Sequence, residues 1–224
     1  MNDLTVVLLD LDGTLVDADD AIVEGVIELA AEAGLGTVDP AWARGRIGQP
    51  PEGTWELLGA DDPAAMVQLF SERILPRLPE RTRLIDGVAD GLAALRALDL
   101  TLAVATTRLT ESARESLAVT GIAEHITHVS GRDLVPRSKP EPDVLLHALQ
   151  ALGAQPAQAL MIGDSDADAL AARAAGMPCW GVLTGIGDET TLRAAGIEHI
   201  LDTGIAGAAD TIRARRGHTG TTTT

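Results

Sequence analysis

The sequence has few aromatic residues and almost none of the residues that form disulfides or soft-metal sites. Its 224 residues include three tryptophans, one phenylalanine and no tyrosine. The apolar residues are mainly Ala, Leu, Val and Ile, which suit helices packed on a parallel sheet. The single cysteine, Cys179, has no partner for an internal disulfide, and no Cys/His spacing typical of a metal site is present. We therefore expect a cytoplasmic protein with an aliphatic core.

Long apolar runs and positive charge are also scarce. No run approaches the ~20 apolar residues that span a membrane, and residues 1–9 are too short and too acidic for a signal peptide. The formal net charge of −16 argues against nucleic acid or an anionic membrane as a partner. An anionic small molecule would need positive charge concentrated at one place. We expect a monomer or a homodimer.

Short apolar runs alternate with helical patterns along most of the chain. The runs predict strands at 4–9, 101–106, 159–162, 179–183 and 197–201. Helical spacing and terminal glycines or prolines predict helices at 88–98, 110–120, 141–152 and 166–175. This alternation is typical of βαβ units, so the fold class is α/β with a parallel sheet.

One stretch interrupts the alternation. Between residues 19 and 83 only helices are predicted, at 19–33, 40–47, 52–58 and 62–75. We interpret this stretch as an all-helical insertion after the first strand. The residues after 213 have no apolar period, and we expect a disordered tail there, at 216–224 in particular.

The strongest local signal is a pair of carboxylates after the first strand. Asp10 and Asp12 are two residues apart, so both can face one site at the carboxyl end of the sheet. Such a pair suits a hard cation or a division into nucleophile and acid/base. A calcium loop starting at Asp10 fails, because Leu15 and Ala21 stand where Gly and Glu are needed. A solvated acidic turn remains the plain alternative.

Two further polar elements follow later strands. Thr106 and Thr107 come directly after a strand, and either can offer a hydroxyl and an N–H group to a phosphate, although a threonine in this position is more often a helix N-cap. Lys139 is the only lysine beside sixteen arginines. A lone lysine indicates a site that needs a compact ammonium rather than a planar guanidinium, unless it survived by chance.

The last element is acidic. Asp164 follows a predicted strand, and Asp168 lies one helical turn further on the same side. Capping of the helix N-terminus by acidic residues is the structural alternative.

Taken together, these elements resemble the motifs of the haloacid dehalogenase-like hydrolase superfamily. The matching residues are Asp10-x-Asp12-Gly13-Thr14, Thr106, Lys139, and Gly163-Asp164-Ser165 with Asp168. The segments 47–59 and 85–95 are similar to the phosphoglycolate-phosphatase-like branch. The resemblance implies a Rossmann-like parallel sheet core at 1–16 and 84–215, with a small all-helical cap domain at 17–83.

The resemblance also implies a role for each matched residue. Asp10 would be the nucleophile and Asp12 the acid/base, while Thr106 and Lys139 would hold the phosphoryl group. A Mg²⁺ cofactor would bind Asp10, the backbone carbonyl of Asp12, and Asp164, with Asp168 supporting that shell or Lys139. Thr14, Thr107, Arg46 and Gln49 complete the expected substrate-binding set. Many relatives have Asn where Thr107 stands and Lys where Arg108 stands.

The expected activity is Mg²⁺-dependent hydrolysis of a small, phosphoglycolate-like phosphate monoester through an aspartyl phosphate. Dehalogenases of this fold usually lack the second aspartate of the first motif, and phosphonatases need a cap lysine that is missing here. Two alternatives remain open: a phosphosugar mutase of the same fold, and a non-catalytic module that binds a phosphorylated metabolite. In the insertion, a glycine-containing turn offers Arg44, Arg46 and Gln49, and Arg46 and Gln49 are expected to read the rest of the substrate. Arg46 is preferred to Arg44 because Ile47 beside it can anchor the turn in the core, although an ordinary turn with solvated arginines is the alternative.

Overall fold

The computed structural model describes residues 3–47 and 49–217, which form a parallel sheet covered by helices on both faces. The strands are β1 (Val6–Leu9), β2 (Val16–Asp17), β3 (Arg83–Leu84), β4 (Thr101–Ala105), β5 (His128–Ser130), β6 (Ala159–Gly163), β7 (Cys179–Val182) and β8 (His199–Leu201). Six of them pair in the order β5-β4-β1-β6-β7-β8, with every pairing parallel. The expected α/β fold class is confirmed.

Eight of the described helices lie close to the positions that periodicity and capping predict, whereas the three at 78–81, 189–194 and 208–217 were not predicted. The described helices are α1 (Asp19–Glu32), α2 (Pro40–Arg44), α3 (Pro51–Leu57), α4 (Pro63–Arg73), α5 (Leu78–Arg81), α6 (Val88–Arg96), α7 (Thr110–Val119), α8 (Asp143–Leu152), α9 (Asp166–Ala175), α10 (Glu189–Ala194) and α11 (Ala208–Gly217). Among the described helices, none is both long enough and apolar enough to cross a bilayer.

Alternation along β1 divides the core into two layers. Val7 and Leu9 face a hydrophobic cluster that includes side chains of α6, α7 and α11. Val6 and Leu8 face the other way, into a cluster that includes side chains of α8 and α9. Because both faces are covered, β1 is apolar at every position, which is the continuous run seen in the sequence.

Strand register aligns the ends of the three central strands. Leu9 pairs with Val104 of β4 and with Ile162 of β6. The chain runs from β1 to β4 and β5 on one side, then returns to place β6 against the other side of β1. In open α/β sheets, this reversal of strand order opens a crevice at the carboxyl ends of the strands, and ligands bind there.

Helices α1 to α5 form a hydrophobic cluster distinct from the two clusters of the sheet. Its buried members include Val23 and Leu29 of α1, Trp55 of α3 and Ile74. The antiparallel pair β2–β3 connects this helical segment to the sheet, because Val16 pairs with Leu84. Among the residues of this segment that the structure describes, none between α1 and α5 forms a strand, as the sequence predicts. Its assignment as a separate cap domain at 17–83 stays a prediction.

Some local expectations differ from the structure. The expectation of disorder is wrong for residues 216 and 217, because they belong to α11, which continues to Gly217. Ile212 of this helix is buried in the hydrophobic cluster on one face of the sheet. The rest of the expected tail, 218–224, lies outside the described residues. Strand β5 was not predicted, because its sequence HVS lacks an apolar run. The two-residue strands β2 and β3 are likewise too short for periodicity to reveal.

Candidate active site

The site lies where β1, β4 and β6 end. Asp10 directly follows β1, and its N–H donates to the Ile162 carbonyl oxygen at 3.0 Å, which fixes the residue against β6. Asp164 directly follows β6. Thr106 directly follows β4, and its side chain is fully buried. Parallel register thus brings together residues that are far apart in sequence.

Gly13 permits the close approach of the first and last motifs. Its φ of +76° belongs to the left-handed region, which favours glycine. A Cβ atom at this position would lie 2.6 Å from Oδ2 of Asp164 and 2.8 Å from Cα of Gly185. A larger residue would therefore push Asp164 away from the crevice.

Lys139 lies at the centre of the site. Its ammonium Nζ is 2.7 Å from Oδ1 of Asp10 and 2.6 Å from Oδ1 of Asp168, and its side chain is only 1% exposed. Burial opposes the charged form, but the attraction of the two carboxylates outweighs it and raises the pKa of Lys139 above its ordinary value. The ammonium is therefore held charged.

Asp168 orients this lysine and is itself fixed from the other side. Its Oδ2 accepts hydrogen bonds from the Ser165 hydroxyl at 2.6 Å and from the Ser165 N–H at 3.2 Å, while the Ser165 hydroxyl accepts from the Asp168 N–H. These bonds form a capping box at the start of α9. The helix-capping interpretation is confirmed, and it is compatible with a functional role, because one oxygen of Asp168 accepts from Ser165 and the other contacts Lys139.

Asp164 is held by the groups behind it. Its Oδ1 accepts from the Thr14 hydroxyl at 3.0 Å and its Oδ2 from the Ile186 N–H at 3.0 Å. Burial, followed by repulsion from Asp168, raises the pKa of Asp164 to about 7. The pKa of Asp10 is also raised well above its ordinary value, first by burial and then by Asp168.

The buried charges fit a divalent cation. One carboxylate oxygen each from Asp10, Asp164 and Asp168 lies within 4.8 Å of the others. Three carboxylates against the single ammonium of Lys139 leave two negative charges uncompensated. Burial of unpaired charge is costly, and an all-oxygen donor set suits a hard cation such as Mg²⁺.

Asp12 has a different partner. Arg108 donates to both of its oxygens, from Nε to Oδ2 at 2.8 Å and from Nη2 to Oδ1 at 2.5 Å. The side chain of Arg108 is only 5% exposed, and its Nη1 also donates to Ser116 Oγ at 2.8 Å, which anchors the guanidinium. Arg108 was not among the predicted site residues. Its position two residues after Thr106, at the same sheet edge, was the available signal.

The two motif threonines have supporting positions. Thr106 is fully buried and is not among the residues that line the cavity, and its Oγ1 accepts from the Arg108 N–H at 3.1 Å. Donation of its hydroxyl proton to a phosphoryl group stays a prediction. Thr14 donates to Asp164 and is fully buried, and it is not among the residues that line the cavity. Its position favours holding Asp164, and substrate binding by Thr14 stays a prediction.

A cavity of about 480 Å³ opens between the sheet edge and helices α1 to α5. The sheet side contributes Asp10, Asp12, Thr107, Lys139 and Asp164 to its lining. The helical side contributes Arg46 and Gln49, so both expected residues of the 44–50 turn face the cavity, whereas Gly48 between them lies outside the described residues.

The two arginines of that turn differ in their surroundings. Arg44 pairs with Asp19 at 3.1 Å and with Asp20 on the surface. Arg46 lines the cavity, and its Nε is buried with no hydrogen-bond partner among the described residues. This contrast supports the sequence-based choice of Arg46 over Arg44.

Arg132, a second arginine on the cavity wall, was not predicted. It lies in the 3₁₀ turn Arg132–Leu134 after β5, and its Nη2 donates to Ser71 Oγ of α4 at 3.2 Å. The sheet and the helical segment are thus joined across the cavity by a polar contact. Sequence alone gave no sign of it, because the turn contains no recognisable motif.

Comparison with known proteins identifies the same family. The sequence profile of the haloacid dehalogenase-like hydrolases matches residues 7–182. A probable phosphatase IndB of Dickeya dadantii is 37% identical over 206 residues, covering 88% of this chain and 89% of that protein. A phosphoglycolate phosphatase of Chromobacterium violaceum is 33% identical over 197 residues, covering 84% of this chain and 89% of that one.

Solved structures show the same architecture. A haloacid dehalogenase-like family hydrolase of Streptococcus pneumoniae superposes with a TM-score of 0.84 at 26% identity, covering 96% of this chain and 99% of the other. The motifs, the parallel sheet and the relatives therefore agree. This chain belongs to the haloacid dehalogenase-like hydrolase family and is a phosphoglycolate-phosphatase-like member of it.

Proposed function

We propose that the protein is a Mg²⁺-dependent phosphatase that hydrolyses a small-molecule phosphate monoester through an aspartyl phosphate on Asp10. The observation that carries the proposal is the buried contact of Lys139 with both Asp10 and Asp168. It fixes a carboxylate beside a permanent positive charge, at the place where a phosphoryl group would enter from the cavity. The phosphatase names of the relatives support the same reaction class.

In the first step, an Asp10 oxygen bonds to phosphorus and the ester P–O bond breaks. The departing alkoxide takes a proton from Asp12. In the second step, Asp12 accepts a proton from water while the water oxygen bonds to phosphorus and the Asp10–phosphorus bond breaks. Inorganic phosphate and the original carboxylate result. Lys139 and the Thr106 hydroxyl donate to the phosphoryl oxygens, whose negative charge must be compensated throughout.

Asp10, Asp164 and the backbone carbonyl of Asp12 would hold Mg²⁺, with Asp168 positioned to support Lys139 instead. When bound, the cation supplies positive charge to the phosphoryl oxygens and compensates the buried carboxylates. Arg108 donates to both oxygens of Asp12 and so fixes the orientation of its carboxylate.

The non-reacting part of the ester would be read from the helical side of the cavity. Arg46 and Gln49 offer donors there, and a closed cap would exclude water and strengthen each polar contact. The expected cytoplasmic location and the monomeric or homodimeric state stay predictions. So do the alternatives of a phosphosugar mutase and of a binding module without turnover.

Replacement of the nucleophile tests the proposal directly. Asp10→Asn should lower kcat for an aryl phosphate by at least about 10³-fold, because an amide does not form the acyl phosphate. Asp61→Asn makes the same chemical change at an exposed position and should leave kcat unchanged. Steady-state kinetics with both variants decide the point. Retention of more than a few per cent of activity by Asp10→Asn would assign the nucleophile elsewhere.

The acid/base role of Asp12 predicts a dependence on the leaving group. Asp12→Ala should slow turnover by ~10²–10⁴-fold for alkyl esters. For nitrophenyl phosphate, whose leaving group needs no proton, formation of the aspartyl phosphate should suffer much less than its hydrolysis. Rapid-mixing measurement of the nitrophenolate burst separates the two steps. Equal losses for good and poor leaving groups would make Asp12 a structural residue that binds Arg108.

Metal dependence has a readout that does not need activity. At a Mg²⁺ concentration of 100 Kd, binding to the folded state alone should stabilise the protein by about 2.7 kcal/mol and raise its melting temperature. Asp164→Asn should remove most of this shift, whereas Asp166→Asn, two residues further along at the first position of α9, should retain it. Turnover should disappear in excess chelator. Full turnover in chelator, or an unchanged shift in Asp164→Asn, would contradict the metal assignment.

The solitary lysine predicts intolerance of arginine. Lys139→Arg keeps the charge, but the longer planar guanidinium does not fit between two carboxylates that lie 2.7 and 2.6 Å from one nitrogen. We expect at least a ~10²-fold loss of kcat/KM, as for other displaced catalytic groups. Arg96→Lys, on an exposed face of α6, is the matched control. Wild-type kinetics in Lys139→Arg would show that any cation serves there.

A further inference from the structure

The cavity above the catalytic groups is larger and more apolar than a two-carbon acid requires. Its volume of about 480 Å³ falls in the ~300–1,000 Å³ range of pockets that enclose drug-sized molecules. The charged groups of the sheet edge, Asp10 and Lys139 among them, occupy one side of it. The space that remains is bounded mainly by the helical segment.

Apolar side chains form the helical wall of this cavity. They come from four parts of the helical segment: Ile22 and Val26 of α1, Trp55 of α3, Val67 and Phe70 of α4, and Leu75 and Leu78 after it. Trp55 and Phe70 are two of only four aromatic residues in the chain. Ile22, Val67 and Phe70 remain partly exposed although they pack against the cluster of α1 to α5.

The aliphatic and aromatic part of this wall does not suit a small, fully charged alcohol. A carboxylate placed there loses hydration without gaining a partner, which is costly, and it could be compensated only at Arg46 or Arg132 elsewhere on the cavity lining. An apolar ring placed against the same part of the wall gains from burial of its surface and from edge or face contacts with the aromatic side chains. The contact of Arg132 with Ser71 joins the two parts of the chain at the cavity wall, so a ring would lie between the sheet edge and the helical segment.

We propose that the preferred substrate is a phosphate monoester whose alcohol carries a ring. The phosphoryl group would lie at Asp10 and Lys139, and the ring would lie against Val67, Phe70 and Trp55. This inference rests on the proposed phosphatase function and deepens it. It departs from phosphoglycolate, the ester named for several of the relatives.

Three esters of primary alcohols test the substrate class with little difference in leaving-group chemistry. They are ethyl phosphate, 2-phosphoglycolate and phenethyl phosphate, compared by kcat/KM in the same buffer with Mg²⁺. Phenethyl phosphate should exceed each of the other two by at least about tenfold, the effect expected for burial of an apolar ring. Equal values, or a preference for phosphoglycolate, would overturn the inference while leaving the phosphatase function intact. If none of the three esters and no aryl phosphate is hydrolysed, the proposed function fails and the inference fails with it.

Filling the cavity tests where the ring lies. Val67→Phe should reduce the advantage of phenethyl phosphate over ethyl phosphate to below about threefold, because the added ring occupies the same space. Leu69→Phe, on the same helix but outside the cavity lining, should keep the tenfold advantage. If Val67→Phe does not fold, as judged by circular dichroism, Phe70→Ala should lower the same ratio by removing a contact. An unchanged ratio in the folded cavity variant would place the ring elsewhere and overturn the inference.

Discussion

The ion contacts of Lys139 with Asp10 and Asp168 are the interaction on which the rest of the site depends. Removal of one partner from a buried pair typically costs about 3–5 kcal/mol, because the other charge stays buried and unpaired. Here the ammonium has two partners, and Asp168 is in turn fixed by the capping box of α9. A helix start, a loop lysine and the end of β1 are thus linked into one rigid unit.

Charge balance explains why the rest of the site is arranged around this unit. Asp12 is compensated separately by Arg108, whereas Asp10 and Asp164 have raised pKa values and share too little positive charge. A divalent cation and an incoming phosphate ester change that balance together, one adding positive charge and the other negative. In a chain of net charge −16, the proposed site would thus offer an anion locally compensated charge at this sheet edge.

The sheet could be predicted from the sequence because its strands are buried on both faces and read as apolar runs. Asp10, Thr106 and Asp164 could be predicted because they follow those runs, and parallel strands end at one edge; Lys139 could be predicted because it is the only lysine. Arg108 had only a positional signal and Arg132 had none, since their importance depends on side-chain partners, Asp12 and Ser71, that are distant in sequence. Strand β5 and the continuation of α11 depend on tertiary packing that overrides weak local patterns.

The cavity could not be predicted from the sequence either, because it forms between parts of the chain that are distant in sequence. Trp55 and Phe70 have the helical spacing of ordinary core residues, and only the position of α3 and α4 above the sheet edge turns part of that core into a wall. The fold thus separates two tasks. In the proposed reaction, the sheet edge would hold the phosphoryl group with charge, and the helical segment would contact the alcohol with apolar surface.

The central claim is that Asp10 carries the phosphoryl group during turnover. The most direct measurement is to mix the protein with substrate, quench in acid within one turnover, and reduce any aspartyl phosphate with borohydride to homoserine. Peptide mapping by mass spectrometry then locates the modified residue. The account predicts modification at position 10 alone, and only when substrate is present. Modification of another carboxylate, or none while phosphate is released at the normal rate, would contradict it.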